Sequence, residues 1–166
     1  MFRLADDDLE TFYKDGDFQA PKHKWGGKKP CMCLIIDDAM GSLLYQRPRK
    51  LNQFTIYHRH LGQLKEGGAL GCSIFFLVQS YKAQAGGITR AIRGNVTSMI
   101  LFSNKNEKML QEIAEELAGE VAPETFFQVY KKAMQGKHDF LFVDLHRKPN
   151  HPSAFRRNLD TFLIPE

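Results

Sequence analysis

Leu34-Ile35-Ile36-Asp37-Asp38 is a run of branched apolar residues that stops at two adjacent carboxylates. An uninterrupted apolar run suits a strand buried on both faces, as in a parallel sheet. Burying an isolated carboxylate costs several kcal/mol, so two acids in succession belong at the strand's end, where something cationic meets them.

Reading outward from that strand, residues 1–20 carry scattered apolar positions (Leu4, Leu9, Phe12, Tyr13) among acids, a weak helical pattern. Residues 21–30, with Gly26-Gly27 and four lysines, read as a mobile basic loop. The first strand is predicted over 31–36. Apolar residues at 51, 54, 57, 61 and 64 predict a helix over 51–64, ended by Gly67-Gly68. Residues 72–78 are the most apolar stretch and read as a central strand. A short helix over 88–92, a strand over 97–102, helices over 107–117 and 125–134, and a strand over 140–143 follow. The tail beyond Pro149 reads as irregular.

Strand and helix alternating at this spacing predict an α/β fold, a mostly parallel sheet with helices on both faces. The division expected is an N-terminal segment, 1–30, and one domain, 31–166. In such sheets functional groups gather beyond the carboxyl ends of the strands. Asp37-Asp38, Gln79-Ser80, Ser103-Asn104 and Asp144 all fall at predicted strand ends, so they are expected to converge.

The 166 residues suit one domain able to bury a core. A net charge of +4 permits a polyanionic partner without demanding one. Three cysteines with no C-x-x-C argue against a disulfide framework and fit a reducing compartment. No apolar run is long enough for a membrane helix, and the acidic start does not resemble a signal peptide. The expectation is a soluble intracellular protein.

An apolar strand ending in two acids is the Walker B pattern of nucleotide hydrolases. In that chemistry Asp37 would hold the shell of a Mg²⁺ ion, through water, while the ion neutralises phosphate charge. Asp38 would face the attacking water as general base or orienting group. Gln79, at the neighbouring strand's tip, would hydrogen-bond that water or the γ-phosphate. The plainer reading is that the two acids cap a turn and Gln79 merely ends a strand.

The ordered set resembles the FtsK/HerA-type ATPases, and within them the viral DNA-packaging branch of poxviruses and giant viruses. It runs Leu34-Ile35-Ile36-Asp37-Asp38, then Phe54-Thr55-Ile56-Tyr57-His58-Arg59-His60, then Ile74-Phe75-Phe76-Leu77-Val78-Gln79-Ser80-Tyr81. Ile88-Thr89-Arg90-Ala91-Ile92-Arg93-Gly94-Asn95 is similar to that family's Arg-x-Asn stretch, and 138–144 with Phe155-Arg156-Arg157 to its final strand and tail. The resemblance covers about residues 31–160. It implies part of a P-loop (RecA/FtsK-like) core, ATP and Mg²⁺ as cofactors, double-stranded DNA as partner and a homo-oligomeric ring. The cellular place it implies is a virus assembly site or the virion. It also implies Asp37 as the metal-associated and cofactor-binding acid, Asp38 as the catalytic acid and Gln79 as the sensor. Arg90 and Arg93 would then be candidates for an arginine acting on a neighbouring subunit's phosphate. Surface charge or contact with DNA is the alternative for both.

One departure is large. The phosphate loop G-x-x-x-x-G-K-[ST] is absent from these residues, and Gly26-Gly27-Lys28-Lys29 has neither the spacing nor the Ser or Thr. A truncated gene model, a split ATPase and a degenerate paralogue each account for it. The leading expectation is the C-terminal half of an ATP-driven DNA packaging translocase; the alternative is a non-catalytic DNA- or partner-binding module on the same fold. Arg47, Arg49, Lys50, Tyr81 and Lys82 are candidate DNA contacts, with solvated surface as the plainer reading. His146-Arg147-Lys148 and Arg156-Arg157 make the tail basic. Cys31, Cys33, Cys72, His58 and His60 lack structural-zinc spacing.

Overall fold

The computed structural model describes residues 32–39, 41–46, 48–61, 67–82, 88–117, 119 and 121–165. The N-terminal helical pattern and the basic loop of 21–30 lie outside them. The chain divides into two compact units, one up to Asn95 and one from Val96.

In the first unit β1 (Met32–Asp37) and β2 (Cys72–Leu77) pair in parallel, in register from Met32↔Cys72 to Asp37↔Leu77. The connection carries α1 (Leu43–Gln46), α2 (Pro48–Tyr57) and a 3₁₀ turn, His58–His60. The helix expected over 51–64 thus begins at Pro48 and tightens at His58. The reason is local. His58 Nδ1 lies 2.6 Å from the Thr55 carbonyl, and Thr55 Oγ1 donates to the Leu51 carbonyl at 2.8 Å. Side chains that engage the last carbonyls compete with the regular ladder.

Alternation along both strands builds the core. Leu34, Ile36, Ile74, Phe76 and Val78 pack with Tyr45, Leu51, Ile88 and Ile92. Phe54, Leu61 and Cys72 continue it toward Met32. The opposite face of the pair is uncovered: Ile35 is 62% exposed and Phe75 52%. Among the described residues the expected cover on both faces is therefore found on one. Following β2, Thr89 caps the short helix α3 (Arg90–Arg93), its Oγ1 accepting from the Ile92 amide.

The second unit contains β3 (Ser98–Phe102), α4 (Glu107–Glu116), α5 (Pro123–Ala133), β4 (Phe140–Asp144), β5 (Phe155–Arg157) and β6 (Thr161–Leu163). Its strands form one antiparallel sheet in the order β3-β4-β5-β6. Helical faces pack beneath it: Leu110, Ile113, Ala114, Phe126, Val129 and Ala133 are buried with Leu141, Val143 and Phe155.

The fold is mixed α/β, but among the described residues parallel pairing is confined to β1 and β2, and no mostly parallel core is present. The cause lies between β3 and β4. A single crossover helix returns the chain to the start of the next parallel strand. Two helices of ten and eleven residues carry it back and forth again. The chain then re-enters at the end where β3 left, with Phe102 opposite Phe140. The tail beyond Pro149 is likewise not irregular. It forms the hairpin β5–β6, with Asn158 at φ 55° beginning the turn.

Candidate functional site

Parallel pairing brings the carboxyl ends of β1 and β2 side by side, and there two of the expected residues meet. Gln79 Nε2 donates to Asp38 Oδ1 at 2.7 Å. An ionised carboxylate only accepts, so the Gln79 NH₂ must face it and the amide oxygen must face elsewhere. The bond is short for an N–H donor, as charge-assisted bonds are. It also differs from expectation in one respect: Gln79 reaches Asp38 itself.

Asp38 leaves the strand with φ at 49°, in the left-handed region that Asp and Asn adopt more readily than branched residues. That turn takes its carboxylate out of the β1 ladder and toward the β2 tip. Asp37, the last residue of β1, is exposed. A Mg²⁺ ion asks for one or two carboxylates and fills its remaining positions with water and phosphate oxygens. Two exposed acids at a strand end are donors of that kind, and Asp37 is the one not held by Gln79. Among the described residues no group of three or more His, Cys, Asp and Glu is placed to hold a metal. Cys72 is buried, whereas Cys33, which its place in an apolar strand suggested would be a small buried hydrophobe, is exposed.

The other two strand ends belong to the second unit, and they do not meet each other. In the antiparallel register Ser98 faces Asp144 and Phe102 faces Phe140, so Ser103-Asn104 and Asp144 stand at opposite ends of their own sheet. Both are structural. The Asn104 amide donates to Tyr130 Oη at 2.8 Å, and its side chain accepts from the Asn106 amide at 2.7 Å. Asp144 accepts from the His146 amide and lies 3.5 Å from the Arg156 guanidinium. Arg156 is sandwiched between the rings of Phe142 and Phe162, and Arg157 donates to Gln135. The paired arginines of the tail are thus committed to holding the hairpin rather than displayed.

Arg90 is exposed on α3. Arg93 turns back on its own chain, donating to the Ile88 carbonyl with its guanidinium 5.4 Å from the Tyr81 ring centroid. Tyr81 is only 7% exposed, so it is neither a DNA contact nor solvated surface. Strand alternation would set Tyr81 on the same exposed face as Gln79, so its burial comes from the chain's turn after β2 and is not legible in the sequence. Asn95 closes α3, its Nδ2 donating to the Ala91 carbonyl at 2.8 Å. Arg49 and Lys50 are exposed in the first turn of α2, Lys82 is half-buried, and Arg47 lies outside the described residues. No helix among the described residues is long and apolar enough to cross a membrane.

Comparison with protein families, with curated proteins and with solved structures finds no match.

Proposed function

We propose that this chain carries the water-activating side of an ATP-hydrolysing motor that translocates double-stranded DNA, of the packaging type its motif order resembles. The observation that carries the reading is the bond from Gln79 to Asp38 across the carboxyl ends of two parallel strands. An acid at a strand tip, oriented by a neutral amide on the next strand, is the arrangement a water-orienting carboxylate needs. Asp37 would hold Mg²⁺, which supplies charge neutralisation on the phosphates. Asp38 would align the water and take its proton, and Gln79 would fix the Asp38 carboxylate. On this reading β1 and β2 are neighbours in a larger parallel sheet of RecA/FtsK type. The exposed face of Ile35, Phe75 and Leu77 supports it, because parallel sheets are ordinarily covered on both faces.

The test is DNA-stimulated ATP hydrolysis by the full-length protein, comparing wild type with Asp38→Asn and Gln79→Ala. Loss of about a hundredfold or more in kcat for Asp38→Asn is expected of a general base. Unchanged hydrolysis in that variant would overturn the reading.

A second reading is favoured by the exposed Arg49, Lys50 and Arg90: a non-catalytic module that binds DNA through these cations. It predicts salt-sensitive DNA binding that Mg·ATP does not alter. A thermal-shift titration with Mg·ATP separates the two.

A further inference from the structure

We infer that Arg93 is a positioning residue for Gln79, bracing the β2 tip from behind through Tyr81, and is not an arginine presented to a neighbouring subunit. The inference rests on the proposed function only for its effect on hydrolysis. Regular pairing of β2 ends at Leu77, so the sheet does not hold Gln79 directly. What holds it lies on either side in sequence: the strand before it, and Tyr81 just after it.

Tyr81 is buried, and the Arg93 guanidinium lies over its ring at 5.4 Å. A cation over an aromatic face is worth most where water is excluded. Arg93 is in turn steadied by its bond to the Ile88 carbonyl. The helix carrying it is fixed to the core. Ile92 is fully buried, the Arg93 amide donates to the Thr89 carbonyl at 3.0 Å, and Thr89 Oγ1 donates to Asn52 Oδ1 on α2 at 2.6 Å. A continuous set of contacts therefore runs from α2 through Thr89 and Arg93 to Tyr81, and by the backbone to Gln79. The bond to Asp38 at 2.7 Å tolerates displacements of only a few tenths of an ångström, so the brace has something to preserve.

The geometry also fixes what Arg93 is not available for. A guanidinium laid on Tyr81 and bonded to Ile88 points into its own subunit. On the same helix Arg90 is exposed, and a role between subunits falls to it rather than to Arg93.

Two experiments test this, and they fail independently. In the first, the Gln79 side-chain NH₂ signals are followed by NMR in the full chain and assigned by their loss in Gln79→Ala. Arg93→Met and Tyr81→Leu are each expected to shift these signals toward those of a free glutamine and to speed their exchange with solvent about tenfold. Tyr81→Phe, which keeps the ring, should leave them unchanged and guards against a variant that fails to fold. Unchanged Gln79 signals in a folded Arg93→Met protein overturn the inference whatever the protein's activity. In the second, inactive Arg93→Met and inactive Asp38→Asn subunits of the full-length ATPase are mixed. An arginine acting between subunits would restore hydrolysis, because an intact Asp38 would meet an intact Arg93 from its neighbour. A positioning residue restores none. Recovery on mixing overturns the inference; full activity of Asp38→Asn alone overturns only the ATPase reading.

Discussion

Gln79 lies 41 residues beyond Asp38 in sequence, yet its amide lies 2.7 Å from the Asp38 carboxylate. Parallel register sets Asp37 opposite Leu77, so Gln79 reaches Asp38 from just beyond the paired strands. Replacing Gln79 with Glu sets a second carboxylate against the first. Like charges at that distance raise the pair's affinity for a proton in the folded state. A folded pKa above the unfolded one gives full stability at low pH and loses it as pH rises through the folded value. Gln79→Glu should match wild type near pH 4 and fall below it by about 1 kcal/mol at pH 7, measured as melting temperature against pH.

Asp38 also holds a backbone conformation that branched residues resist, with φ at 49°. Asp38→Asn should leave stability within about 0.5 kcal/mol, while Asp38→Val should cost about 1–2 kcal/mol by urea denaturation. Equal costs for the two would show that the strained backbone is not what the acid supports.

Tyr45 is buried, and its hydroxyl finds no hydrogen-bond partner among the described residues. Burial pushes its pKa above the ordinary 10.0, because the phenolate would be desolvated. The raised value means a contribution that is complete below pH 10 and lost as pH rises through the folded pKa. Tyr45→Phe should be neutral or stabilising by up to about 1 kcal/mol at pH 7 and should lack the alkaline loss. Differential scanning calorimetry across the alkaline range checks both parts.

Asn158 ties the C-terminal hairpin to β4. Its side-chain oxygen accepts from the Phe140 amide at 3.2 Å, its backbone amide donates to the Phe140 carbonyl at 2.9 Å, and its Nδ2 donates to Asp139. That last bond, with one from the Gly136 amide and the nearby Arg157 charge, lowers the Asp139 pKa below 3.8. The depressed value contributes stability above the ordinary carboxylate range and loses it as pH falls through the folded value. Asn158→Ala should cost about 2 kcal/mol at pH 7 through its bonds and its positive φ, and less at acid pH. Chemical denaturation at neutral and acid pH measures the difference.

Arg49 stands in the first turn of α2, at the positive end of the helix dipole, and that turn contains no acid. Arg49→Glu should therefore stabilise the fold by about 0.3–1 kcal/mol while weakening binding to double-stranded DNA and reducing its salt dependence. Unchanged DNA affinity at low salt would remove Arg49 from the contact surface.

The strands, the helices and the two acids were legible because each depends on neighbours in sequence. Leu34-Ile35-Ile36 can only be a strand of an apolar kind, and Asp37-Asp38 can only stand at its end. The apolar positions at 109, 110, 113, 114 and 117 likewise declare a helical face turned inward; the last four are buried and Met109 is half-buried. The C-terminal hairpin escaped notice because its strands are short and one carries Arg156-Arg157, a pair that reads as solvated until Phe142 and Phe162 close on Arg156.

What sequence alone determined, then, was local: which stretches are strands, where they stop, and which polar groups wait at their ends. Tertiary structure decided which ends meet. Gln79 joins Asp38 because β1 and β2 run parallel, whereas Asp144 and Asn104 are driven apart because two helices, not one, separate β3 from β4. Strand direction depends on how a connection packs, and neighbouring residues carry no record of that. The direction of Arg93 was hidden for the same reason, since a cation's choice between solvent and a ring depends on where the ring is buried.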